Sequence, residues 1–198
     1  MKRWLLVLMV FGVFLSSAGE GWSADFQRGL SAYNMKDYVT ALREWNTLAE
    51  QGSVSAQFNL GMMYAEGKGV SQDDTIAVRW FMLAAERGNV SAQVNLGFMY
   101  QYGKGVTKNE EEAVRWYRLA AEKGNADAQV NLGLAYRSGK GVIEDHIRSH
   151  MWWSIAASQG DQDARERRNN IAKKMTSLQR ETSQYLAREC VRKMYKGC

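Results

Sequence analysis

"GMMYAEGKGV" occupies residues 61–70, returns as "GFMYQYGKGV" at 97–106, and returns again as "GLAYRSGKGV" at 133–142. Each copy sets two glycines around a lysine, so one reading is a phosphate-binding loop. Such a loop needs G-x-x-x-x-G-K followed by Ser or Thr, because its backbone N–H groups wrap phosphate while the hydroxyl reaches the metal. Here Gly69 follows Lys68 and the hydroxyl is missing. The fixed interval of 36 residues points instead to a structural joint built once per unit.

Aligning the chain on itself at that interval gives three units, 54–89, 90–125 and 126–161. In the first, Ala56, Leu60, Gly61 and Tyr64 recur at helical spacing, and so do Ala77, Trp80, Phe81, Ala84 and Ala85. Each unit therefore reads as two amphipathic helices. Asp73, Asn109 and Asp145 are the expected N-caps of the second helix, and Gly88, Gly124 and Gly160 its stops. Between the helices, Gly67 is expected to take the left-handed conformation, Lys68 to sit in solvent, Gly69 to permit the reversal and Val70 to drop back against the pair. The paired aromatics Trp80-Phe81, Trp116-Tyr117 and Trp152-Trp153 keep a fixed register with the alanines, which marks them as packing rather than a ligand-stacking ladder.

The pattern extends at both ends in weaker form. Residues 25–52 read as a degenerate first unit with Gly29, Ala41, Trp45, Ala49 and Gly52 in the expected order and a shorter turn. Beyond 161, residues 162–175 and 177–195 read as a final helix pair divided at Thr176, with Thr176 and Gln179 spaced as a capping box. Terminal units of a solenoid need a polar outer face, so 162–198 is assigned as a cap.

These motifs, A-x-x-x-L-G-x-x-Y, G-x-G-V and A-x-x-W-[FYW]-x-x-A-A over 54–161, resemble the Sel-1-like repeat family, a subgroup of the tetratricopeptide-like helical repeats. The resemblance implies an all-α fold, an α/α right-handed superhelical solenoid of helix pairs, and a scaffold or adaptor role in protein–protein interaction. It also implies that the first helix of each unit lines a concave face. On that face stand Asn59, Asn95 and Asn131, with Phe58, Met62, Val94, Phe98, Val130 and Leu134 beside them. An Asn amide donates and accepts at once, so a row of three suits the backbone of an extended peptide, while the apolar neighbours supply side-chain pockets. The competing reading is that each Asn bonds a neighbouring helix and the apolar stripe is inter-unit core. The family's cysteine-rich branch carries a disulfide in each repeat, which this chain lacks, so the penicillin-binding activity of that branch does not transfer.

The chain begins with Lys2 and Arg3, runs apolar from Trp4 to Leu15, and then offers Ser16, Ser17 and Ala18, the layout of a secretory signal peptide for which cleavage after Ala18 fits best and Ser23 or Ala24 are later candidates. An uncleaved signal anchor is the alternative. Export would place the chain in the periplasm or outside the cell, where nucleic acid is not an expected partner. Residues 19–161 hold 14 Lys and Arg against 17 Asp and Glu, whereas 162–198 hold 10 against 4, so the basic character belongs to the C-terminal segment. That segment reads either as a solvated helix face or as a contact for an anionic surface or acidic protein. Cys190 and Cys198 are the only cysteines, close enough to pair in an oxidising compartment and pin the C-terminus.

Catalytic motifs are absent: the chain holds neither G-x-S-x-G nor H-E-x-x-H. Glu144, Asp145, His146 and His150 form a metal-like constellation, but His150 falls in the inward slot of Val78 and Val114, and Asp145 in the N-cap slot. No metal and no cofactor is expected. The leading expectation is an exported interaction scaffold; the alternative is an envelope hydrolase or β-lactamase-like enzyme built on the same repeats.

Overall fold

A computed structural model of the chain describes residues 25–198, and the expected signal peptide, residues 1–18, lies outside them. Ten helices and no strand occur among the described residues: α1 (25–34), α2 (Tyr38–Glu50), α3 (Val54–Glu66), α4 (Asp74–Glu86), α5 (Val90–Tyr102), α6 (Glu110–Ala121), α7 (Ala126–Ser138), α8 (His146–Ser158), α9 (Gln162–Ala172) and α10 (Ser177–Arg192). The fold is an all-α helical repeat solenoid. Its contacts group into two compact units, one ending at Trp80 and the other beginning at Phe81.

In the first unit, Ala41, Trp45, Leu48, Ala56, Leu60 and Met63 form the core. Gly29 lies so close to Trp45 that a Cβ there would stand 2.5 Å from the indole Nε1, so the degenerate unit keeps the glycine-against-ring joint. Its shorter turn closes with Lys36 at φ 63°, and Asp37 caps α2 by accepting from the Thr40 N–H. Hydrogen bonding from the Thr40 hydroxyl, and then from its N–H, holds the Asp37 carboxyl below the usual carboxylate range.

The joint at 67–70 is built largely as its glycines require. Gly67 ends α3 at φ 67°, and the Lys68 N–H donates to the Met63 carbonyl. Gly69 does more than permit a reversal: at φ 74° it lies against α2, and a Cβ there would stand 2.6 Å from the Tyr38 Cβ. Lys68 departs from the expectation of a solvated side chain. It is half-buried, its ammonium 2.6 Å from the Tyr33 hydroxyl and 2.7 Å from a Glu66 carboxylate oxygen. An acid and a phenol oxygen within reach make the joint a better place for the ammonium than open water, and they raise its pKa.

The same construction recurs along the chain. Ser53 caps α3, and Asn89, Asn125 and Asp161 then cap α5, α7 and α9 in the same way, each accepting from the alanine N–H three residues on. Asn109 and Asp145 cap α6 and α8. Gly97 and Gly133 receive the rings of Tyr117 and Trp153 where a Cβ would otherwise sit. A Cβ at Gly141 would likewise collide with the Glu110 carbonyl, so this turn docks on the start of α6. Trp116, Tyr117, Trp152 and Trp153 are buried, as core residues must be.

One recurrent side chain escaped the sequence reading. Gln57, Gln93 and Gln129 are buried, and each amide donates to the carbonyl of Ala49, Ala85 or Ala121 near the end of the preceding helix. Each thus adds a second hydrogen bond to a helix-end carbonyl that already accepts from the Gly52, Gly88 or Gly124 N–H.

α9 and α10 both pack on α8. α10 carries the capping box at Thr176 and Gln179, but it ends at Arg192 rather than 195, because Met194 and Tyr195 take left-handed φ values of 51° and 65°. The turn lays Tyr195 against Gly124 and brings Cys198 back to Cys190, with which it forms a disulfide across a Cα–Cα distance of 5.5 Å.

Candidate docking face on the first helices

Helical spacing decides what the first helix of a unit offers to a partner. On α5, Asn95, Phe98 and Tyr102 recur at i, i+3 and i+7 and so share one face. Phe98 is 42% exposed and Tyr102 60% exposed, with ring centroids 4.6 Å apart. The Lys104 ammonium stands 5.2 Å over the Phe98 ring, a cation–π contact. The next first helix, α7, presents Asn131, Leu134 and Ser138 at the same three positions.

The expected residues divide by surroundings. Asn95 is half-buried and donates from its amide to the Ser91 carbonyl of its own helix at 2.9 Å, not to a neighbouring helix. Asn131 is half-buried and lines a small recess with Gln101 and Tyr117. The Tyr117 hydroxyl donates to Gln101 at 2.8 Å, and burial, with Tyr102 nearby, holds its proton more tightly than usual. Val94 packs on the core of α6 and α7, while Val130 and Leu134 pack on the cluster around Trp153. Phe98 alone of the unit's apolar candidates is classed as exposed. In the first unit, Asn59, Phe58 and Met62 are all half-buried on α3. Tyr102 was missed by the sequence reading, although its i+7 spacing from Asn95 was available.

The metal-like constellation separates. His146 pairs with Glu144 at 3.0 Å, while Asp145 caps α8 and pairs with Arg148. His150 points inward, its Nδ1 2.7 Å from the Ser183 hydroxyl of α10 and 3.4 Å from Ser154. Burial, with Arg168 and Arg180 nearby, lowers its pKa to about 4, so it is neutral at pH 7. No group of three potential ligands gathers among the described residues. A Ser–His contact invites a nucleophilic reading, but Ser183 is 0% and His150 3% exposed, which closes this pair to a substrate. Its chemistry is that of a satisfied buried polar contact joining α8 to α10.

The Sel1 repeat pattern matches residues 54–89, 90–125 and 126–161. The chain is similar to the crystal structure of a Sel1 repeat protein from Oxalobacter formigenes, with 37% identity, a TM-score of 0.67, and coverage of 70% of this chain and 57% of that one. It is also similar to a protective antigen present in uropathogenic Escherichia coli strains and displaying an SLR fold, with 27% identity, a TM-score of 0.54, and coverage of 93% of this chain and 49% of that one. The chain thus spans about half the length of these two structures. A comparison with curated proteins returned no match.

Proposed function

The chain belongs to the Sel1 repeat family, a helical repeat scaffold that typically mediates protein–protein interaction, and from that premise we propose that it is an exported adaptor holding an extended segment of another protein on its first helices. The observation that carries this reading is the mixed face of α5 and α7. Asn95 and Asn131 offer amides beside the exposed Phe98 and Tyr102, and rigid, capped helices hold all four. Amides at regular spacing suit a peptide backbone, and aromatic rings suit its apolar side chains. Among the described residues, no helix is long and apolar enough to cross a membrane.

Export rests on the Lys2-Arg3, Trp4 to Leu15, Ser16 to Ala18 layout, with removal after Ala18 giving a periplasmic or secreted protein. The disulfide accords with an oxidising compartment. The α9–α10 segment serves as the polar end of the repeat stack. Replacing Asn95 and Asn131 together with Ala tests the docking face. Recovery of partner from the producing cell's envelope is expected to fall while the thermal midpoint barely moves, since Asn95 bonds only within its own helix. Full recovery, or a loss of several kcal/mol in stability, sinks the assignment.

A further inference from the structure

Two recesses in the unit beginning at Phe81 are the same feature one repeat apart. The smaller, about 40 Å³, lies among α5, α6 and α7. The larger, about 490 Å³, lies among α7, α8 and α9. A shift of 36 residues carries most of the first lining onto the second, Tyr117 onto Trp153 at the base and Ala135 onto Ile171 on the wall, whereas Lys140 has no counterpart in the second and Asp163 and Glu166 have none in the first. α9 therefore continues the register of the first helices, although it lacks the Leu-Gly pair.

The chemistry changes across that shift. Gln101 gives way to Arg137, and Ser138 to Lys174. Asn131 gives way to Arg167, and Glu110 to His146. These four exchanges move the local charge in the positive direction, and the loss of Lys140 and the arrival of Asp163 and Glu166 offset only part of it. Asp163 holds Arg167 at 2.6 Å, and Glu144 holds His146, whereas Arg137 and Lys174 form no ion pair among the described residues. Both are exposed, and Glu166 places one carboxylate in the lining near them. A polar end unit alone would not require cations at successive equivalents of neutral positions, since any mixture of charges hydrates a terminal helix.

We propose that the recess among α7, α8 and α9 is a subsite for an acidic side chain, so that the segment docked on this face carries apolar residues over Phe98 and a Glu or Asp over Arg137 and Lys174. This rests on reading the first helices as a protein-docking face. With helices about 10 Å in diameter, Phe98 on α5 and Lys174 just past the end of α9 stand roughly 20 Å apart, which about six residues of extended chain span. A free anion would gain only the cations; a peptide gains the aromatic pair and the Asn amides as well.

Selection of a phage-displayed random decapeptide library on the purified full chain tests this. Peptides enriched by the wild type are expected to carry Asp or Glu near one end. A synthetic copy of an enriched peptide should bind the Arg137→Glu/Lys174→Glu variant at least about tenfold more weakly, and weaken as salt rises to about 0.5 M. Arg137→Gln/Lys174→Gln should weaken it in the same direction, which keeps the test valid if charge reversal disturbs the fold. Enriched peptides without acidic residues, bound equally by both variants, overturn the subsite and leave the docking face standing. No enriched peptide at all overturns both.

Discussion

Gly133→Ala inverts an ordinary rule. In mid-helix, Ala is favoured over Gly by about 1 kcal/mol, so α7 considered alone should gain stability. In the folded chain, however, the added Cβ would lie 2.6 Å from Trp153 Cδ1 and 2.8 Å from Cε2, against an optimal carbon–carbon separation of about 3.5–4.0 Å. The ring must retreat by about 1 Å. It has nowhere easy to go: Trp153 is 1% exposed and packed among Ala156, Ala157, Ala164 and Ile171, with its N–H donating to the Val130 carbonyl at 3.1 Å. Overpacking of this kind costs about 1–3 kcal/mol, and weakening the hydrogen bond about 1 more. Set against the propensity gain, the net is a loss of about 1–3 kcal/mol. Urea titration reads it directly, and Gly133→Ala combined with Trp153→Leu should lose less than the sum of the single variants by about 1 kcal/mol or more. A Gly133→Ala chain more stable than wild type would refute the glycine-against-ring joint.

Trp116→Ala should cost about 3–5 kcal/mol in the same assay, as for other large core truncations, while Lys104→Ala at an exposed turn should cost under about 0.5 kcal/mol; equal midpoints would contradict the assignment of core and turn. His150 is held neutral, with a pKa of about 4 against 6.5 when free. The unfolded chain takes up a proton below 6.5 and the folded chain does not. Its contribution is therefore complete above pH 6.5 and is lost as pH falls toward 4, by about 3 kcal/mol in all. A His150→Asn chain should show a shallower decline over that window, and an unchanged slope would place His150 outside the acid response. Thiol labelling of freshly isolated, denatured protein should find Cys190 and Cys198 protected, and two reactive thiols would show that the disulfide does not form in the cell.

The joints were legible because glycine has few reasons to recur at 36-residue spacing, and the second-helix caps because Asp73, Asn109 and Asp145 hold one slot. What stayed hidden depended on partners that periodicity does not identify. Gln57, Gln93 and Gln129 looked like polar residues on a helix, and only the fold shows that each reaches a helix-end carbonyl eight residues back. The recurrence of Gln in one slot, directly after a buried Ala, was the available signal. Lys68 looked solvated because its phenol partner, Tyr33, lies 35 residues upstream in a turn of different length. On the docking face, the Asn row was legible as a pattern, but exposure was not. Whether Val130 and Leu134 serve a ligand or the next helix depends on α9, whose charged sequence disguised its place in the repeat register.

The central claim, that the first helices hold a protein partner, is tested most directly by site-specific photo-crosslinking in the producing cell. A benzophenone side chain placed at Asn131, on α7, should capture a discrete protein adduct, and the same group at the exposed Leu119 of α6 should not. An adduct at Leu119 with none at Asn131 would contradict the account.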